Sequence, residues 1–297
     1  MGRIALKVDV DTLRGTQEGV PRLLDLFNRL GVQATFLFSL GPDHTGWALR
    51  RIFRRGFLGK VKRTSVLEHY GLRTLTYGVL RPGPDIGRVA AAPMRAARDA
   101  GHECGIHAWD HVLWQDNVRY RSATWTRQQM ARAHERFVEV FGVAPSTHGA
   151  AGWQMNDAAL RQIDAWGMRY ASDGRGDAPF VPCVGHESLA HIQLPTTLPT
   201  LDELIGANGI DAHNVARWLL KQTEADDTPQ VFTLHAELEG GAWLDALRML
   251  LEGWHRQGHD LGSLAALHAH LPASLPRRRT AWGHVRGRSG ELVVCAT

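Results

Sequence analysis

Asp9 and Asp11 stand two apart at the end of an apolar run, Val8-Asp9-Val10-Asp11, and His107 and His111 stand four apart in His107-Ala-Trp-Asp-His111. One carboxylate and two imidazoles make a three-ligand set for a divalent ion, with a position left for water. Such an ion lowers the pKa of that water toward ~7 and polarises a carbonyl under attack. The second aspartate is then free to take the water's proton. The spacing of four predicts both histidines on one face of a helical turn. His255 and His259 repeat the spacing among the 16 histidines, but they flank Gly258 with no strand-end carboxylate, and read as surface.

His235 closes a second apolar run, Val231-Phe-Thr-Leu-His235. A histidine there can protonate a leaving amine, with Asp173 of YASDGRG holding its other ring nitrogen. The alternative is a core histidine satisfied by backbone. Gly149 to Trp153 (GAAGW) reads either as a loop offering backbone N–H groups to an oxyanion or as a plain tight turn.

The elements that must position these residues alternate. Strands are predicted at Arg3 to Val10, Gln33 to Ser39, Glu103 to His107, Met168 to Ser172 and Gln230 to His235. Helices are predicted at Glu18 to Leu30, Val89 to Ala100, Thr126 to Phe141, Asp157 to Trp166, Asp211 to Thr223 and Trp243 to Gln257. Alternation of this kind predicts βα units around a parallel sheet, with sites gathered at the carboxyl ends of strands. The candidate residues sit at those ends. A single domain is expected over residues 1–275, followed by a basic tail with a short hairpin over 276–297.

Composition narrows the classes. In 297 residues, three cysteines are too few and too scattered for a disulfide scaffold or a four-thiolate zinc site. No apolar run approaches the ~18 residues of a membrane span, and the N-terminus shows no secretory h-region, so a cytoplasmic chain is expected. The net charge of +4 decides little, but its placement matters. An insertion, about 41–86, contains WALRRIFRRGFLGKVKR, with Arg50, Arg51, Arg54, Arg55, Lys60, Lys62 and Arg63 and no acid. Phe53 and Phe57 are interleaved, as in helices that lie on anionic membranes. A solvated helix packed on the domain and a nucleic-acid patch compete with that reading; the stacking platform usual in single-strand readers is missing, so no nucleic acid is expected.

The motifs carrying Asp9 and Asp11, His107 and His111, and Leu234-His235 resemble the first, second and fifth motifs of the NodB-homology polysaccharide deacetylase family. That resemblance implies a distorted (β/α) barrel, here with a basic amphipathic insertion, and a divalent metal, with zinc, manganese and cobalt all admissible. It implies Asp9 as general base, Asp11, His107 and His111 as metal ligands, His235 as general acid, and Asp173 as the group that orients it. DVDTLRGTQEGVPRLL, FSLGPD, GIHAWDH, AAGW, RYASDGRG, LPTTLPTLDELIG and LHAELEG are similar to a deformylase branch of the family. The implied reaction removes formyl from undecaprenyl-phosphate-linked 4-deoxy-4-formamido-L-arabinose at the cytoplasmic face of the inner membrane, for lipid A modification and polymyxin resistance. Arg14, Gly152, Trp153, Arg175, Glu237 and Glu239 are then expected to line the substrate. The family's third-motif arginine, which pairs with the base, has no counterpart in STHGAAGWQ, leaving Arg14 and Arg175 as candidates to tune Asp9. A soluble N-acetyl-sugar deacetylase and a non-catalytic lipid- or polyanion-binding protein on the same scaffold are the competing readings.

Overall fold

The computed structural model describes residues 2–48 and 74–296. Strands β1 (Arg3–Val10), β2 (Thr35–Ser39) and β3 (Glu103–Ala108) come first. They are followed by β4 (Tyr170–Ala171), β5 (Val181–Val184), β6 (Glu187–Ser188), β7 (Ile192–Gln193) and β8 (Gln230–His235). The last are β9 (Asp260–Gly262), β10 (Arg277–Gly283) and β11 (Leu292–Cys295). The central sheet is parallel and runs β3-β2-β1-β8, with β9 beside the first residues of β1.

The β1 segment shows why its ends make a site. Ile4, Leu6, Val8 and Val10 enter the main core with Val20, Leu23 and Phe27 of the helix Val20–Leu30. Because side chains alternate along a strand, Ala5, Lys7, Asp9 and then Asp11 fall on the other face, toward the middle of the fold. That helix has Pro21 in its first turn and stops at Gly31, whose φ of 65° suits glycine.

Beyond β3 the sheet gives way to single bridges. Ile106 bridges His148, the Ser172 amide donates to the His148 carbonyl, β4 pairs with β7, and the Thr197 amide donates to Val231 of β8. These bonds carry a ring of backbone from β8 through β1, β2 and β3 back to β8. Ala5, Tyr170, Leu194, Val231, Leu264 and Leu267 plug one end of it. The other end carries the candidate residues.

Two expectations change in this frame. The segment expected as a tail is built in: β10 pairs with β5 as well as with β11, and Val293 and Cys295 bond to both sides of the Arg175 backbone. His259, expected at the surface, is buried, and its Nε2 lies 3.0 Å from the Thr223 carbonyl; His255 alone is exposed.

Candidate active site

Asp9 and His235 are register partners on neighbouring parallel strands, so their side chains leave the same face about 4.8 Å apart along the sheet. The loops that follow β1 and β8 touch. Gly15 and Gly19 permit this, because a Cβ at either position would collide with Glu237 or with the Ala236 carbonyl. Glu237 holds the β1 loop, its Oε1 accepting from the amides of Asp11 (2.9 Å) and Thr12 (2.7 Å) and from the Thr12 hydroxyl (2.8 Å). Glu239 accepts from the amide of His235 itself at 2.8 Å.

His107 lies at the end of β3 and His111 opens the short helix Val112 belongs to, His111–Asn117, capped by Asp110 on the Leu113 amide. The two do not share a helical turn as their spacing suggested; a strand-to-helix turn brings their rings to 5.3 Å between centroids. Asp11 lies between them. Its Oδ1 is 3.1 Å from His107 Nε2, its Oδ2 is 3.4 Å from His111 Nε2, and one ligand atom from each of the three residues fits within 4.8 Å.

The donor set fits a cation. His107 Nδ1 lies 2.6 Å from the Gly149 carbonyl, an acceptor that requires the N–H on Nδ1 and so turns the Nε2 lone pair toward Asp11. Lone pair and carboxylate then face each other with a buried Asp11 Oδ1 that has no hydrogen-bond donor among the described residues. Charge tells the same story. Burial opposes the Asp11 anion, yet His111 and His107 hold its carboxyl well below the usual range. Burial likewise opposes a charged His107, and Asp9 and Asp11 outweigh it and raise the imidazole. Among the described residues, Asp11, His107 and His111 are thus the group that could hold a divalent metal.

The other expected residues divide. Asp173 does not meet His235. It is buried against His148, Nδ1 to Oδ1 at 2.6 Å, and takes a bond from Gln193 at 2.7 Å. Burial is outweighed by these partners, chiefly His148, and its pKa is lowered. His235 Nδ1 has no hydrogen-bond partner among the described residues. Arg175 is buried on Glu203 (2.6 Å) and the Leu198 carbonyl, and Arg14 pairs with Glu18 at 3.1 Å; neither makes the ion pair at Asp9. Lys7 does, its Nζ 3.4 Å from Asp9 Oδ2. Sequence reading passed over Lys7 and His148. The period-two alternation of β1 was the signal for Lys7, whereas nothing local marks His148.

Gly152 and Trp153 both have left-handed backbone, φ 61° and 52°. The Gly149 and Trp153 amides are spent on Ile106 and Ala150, so those two N–H groups do not form an oxyanion hole. The Trp153 ring is only 2% exposed, with Arg288, Arg175 and Lys7 over it at 4.5, 5.2 and 5.5 Å and the His235 ring edge-on at 6.3 Å. Trp153 therefore shapes the wall behind His235 rather than offering a face to a ligand. Glu237 and Glu239, expected to line the substrate, are buried and bonded to backbone amides. The residues expected to touch a membrane, Arg50, Arg51, Phe53, Arg54, Arg55, Phe57, Lys60, Lys62 and Arg63, lie outside the described residues.

Burial pushes the Glu239 carboxyl up to about 8, against the His235 amide bond that lowers it. A group with a raised folded-state pKa contributes stability below its ordinary value near 4.5 and loses it as pH rises through about 8. Glu239→Gln, which stays neutral, is expected to flatten the fall in melting temperature across that window. Parallel pH profiles of parent and variant would contradict this.

Comparison with known proteins places the site in a family. Residues 2–171 match the polysaccharide deacetylase family. A protein of Shewanella sediminis named "Probable 4-deoxy-4-formamido-L-arabinose-phosphoundecaprenol deformylase" is 39% identical over 80% of this chain and 76% of its own length. A protein of the same name from Wigglesworthia glossinidia brevipalpis is 32% identical over 76% of this chain and 79% of its own. The crystal structure of a "putative polysaccharide deacetylase" from Mycobacterium smegmatis shares the fold, with a TM-score of 0.60 at 19% identity over 93% of this chain and 95% of that one. With Asp, His and His converging at the carboxyl ends of a parallel sheet, in the stretch that carries the match, the chain belongs to the polysaccharide deacetylase family.

Proposed function

We propose that the protein hydrolyses the formamide of undecaprenyl-phosphate-linked 4-deoxy-4-formamido-L-arabinose, giving formate and the 4-amino sugar lipid for lipid A modification. The observation that carries this is the pairing of Asp9 with His235 beside the Asp11, His107 and His111 set, in a chain whose relatives bear that reaction in their names.

The residues divide the work by position. Asp11, His107 and His111 would hold one divalent ion, with zinc, manganese and cobalt suited to this ligand set. When bound, such an ion supplies Lewis acidity to the formyl carbonyl and lowers the pKa of water. Asp9 takes the proton of the attacking water, through an Oδ1 that has no donor of its own among the described residues. The water oxygen bonds to the formyl carbon, the C–N bond breaks, and His235 delivers a proton to the departing nitrogen. Glu237 and Glu239 fix the loops after β1 and β8, which carry Asp11 and follow His235, through bonds to the amides of Asp11, Thr12 and His235.

The substrate reading also asks the protein to reach a lipid anchored in a bilayer. Among the described residues no helix is long and apolar enough to cross a membrane. The run from Trp47 to Arg63, seven cations without an acid, supports peripheral docking on an anionic surface. Changing Arg50, Arg51, Arg54 and Arg55 together to Ser is expected to reduce flotation with vesicles containing anionic lipid by roughly tenfold or more, at ~1 kcal/mol per cation. Equal flotation of variant and parent would remove the insertion from the account. The acyl group is tested by offering the formyl and acetyl forms of the same lipid-linked sugar. Faster turnover of the acetyl form would favour a general deacetylase.

A further inference from the structure

We propose that Lys7 is the positioning residue for Asp9, in place of the arginine that the third motif lacks; this rests on the reading of Asp9 as proton acceptor. Lys7 is fully buried. An ammonium without water needs partners, because an unpaired buried charge costs several kcal/mol. Among the described residues, its partners are the Ser172 carbonyl, Asp9 and the Trp153 ring. Its Nζ donates to the Ser172 carbonyl at 2.9 Å, lies 3.4 Å from Asp9 Oδ2, and sits 5.5 Å from the centre of the Trp153 ring. The stem passes Gly149, where a Cβ would come within 3.1 Å of Lys7 Cε.

The ammonium's ion pair is with Oδ2. Oδ1 of Asp9 is buried with no donor among the described residues, 3.8 Å from His107 Nδ1, and that ring N–H is already given to Gly149. One oxygen is therefore pinned and the other left to accept. The same contact separates two carboxylates that share a strand face. Asp9 is two residues from Asp11 and, with nothing to hold it, is a ready extra ligand for any cation held there. Lys7 keeps the charge of Asp9 on its own side and so keeps Asp9 a base. The other arginines near the wall cannot stand in, since Arg175 and Arg288 are both engaged by Glu203.

A merely structural lysine and a positioning lysine differ in what its loss does to metal binding. In Lys7→Met we expect kcat for formate release to fall about 100-fold with KM within about twofold, while stripped protein titrated with zinc or manganese binds as tightly as parent or more tightly. Lys7→Arg should bring kcat back to within about tenfold of parent. In an Asp9→Asn background, Lys7→Met should cost less than about twofold more, because the two act as one unit. Unchanged kcat in Lys7→Met, joint loss of activity and metal, or a full additional loss in the Asp9→Asn background would each overturn the proposal. Parent-like kcat in Asp9→Asn alone would instead refute Asp9 as base. Should Lys7→Met fail to fold, the double variant decides. Recovery of folding when both charges are gone supports the pairing, and continued unfolding makes Lys7 structural.

Discussion

Asp9→Asn is expected to lower kcat by about three orders of magnitude with the metal content of the protein unchanged, within the range for loss of a general base. The substitution keeps the shape of the side chain and removes its ability to take a proton. The ligand atoms come from Asp11, His107 and His111, and the bond that orients His107 runs to the Gly149 carbonyl, with the Asp9 carboxylate no nearer than 3.8 Å to that ring nitrogen. Its backbone carbonyl, which accepts from the Ala236 amide at 2.9 Å and ties β1 to the loop after His235, is untouched. Activity and metal should therefore separate, which steady-state kinetics on protein of measured metal content would show. If metal leaves with activity, Asp9 is a ligand, and the division of labour between the two aspartates is wrong.

The second large effect is expected at Asp11. It faces both imidazoles, at 3.1 and 3.4 Å, and supplies the only anionic ligand of the set. Asp11→Ala should weaken metal binding by at least about 100-fold and abolish activity at ordinary metal concentrations; loss of a supporting contact behind a ligand already costs 10- to 100-fold. The effect is readable without substrate. Metal at about 100 times its dissociation constant stabilises the folded chain by about 2.7 kcal/mol, a shift in melting temperature that Asp11→Ala should lack. His107 gives an independent check. Asp11 helps to raise that imidazole against burial, so in metal-free Asp11→Ala the histidine should titrate at lower pH, as ring NMR shifts would report. An unaltered metal-induced shift in the variant would place the ion elsewhere.

Much of this site could be read before the fold was seen, for a physical reason. In a parallel sheet the strand ends are where loops converge, and Arg3 to Val10 and Gln230 to His235 are marked as strands by continuous apolar runs with abrupt polar ends. Both runs became strands with those bounds. The spacing of His107 and His111 announced a shared ligand role and misled on geometry, because Asp110 caps a helix that begins only at His111. Contacts between distant segments were not legible. Asp173 meets His148 rather than His235 since the bridge from Ile106 to His148 places residue 148 inside the ring, and no local pattern encodes that bridge. Glu237 and Glu239 were expected to line the substrate, yet Glu237 reaches across to the amides of the β1 loop and Glu239 back to the amide of His235. Residues 276–297 looked like a basic tail with a hairpin, while Arg288 reaches Thr200, Asp202 and Glu203 and covers Trp153. Lys7 was hidden by its setting in an apolar strand, where a lone lysine reads as noise until the period-two pattern puts it beside Asp9.

The central claim is that one ion on Asp11, His107 and His111 serves a formamide hydrolysis driven by Asp9. The most direct measurement is formate release from undecaprenyl-phosphate-linked 4-formamido-arabinose by metal-stripped protein, with single metals added back. The stripped chain is expected to release no formate and to recover release at one equivalent of a suitable divalent ion. Full release by stripped protein, or none with any metal despite a bound ion and an intact fold, would contradict it.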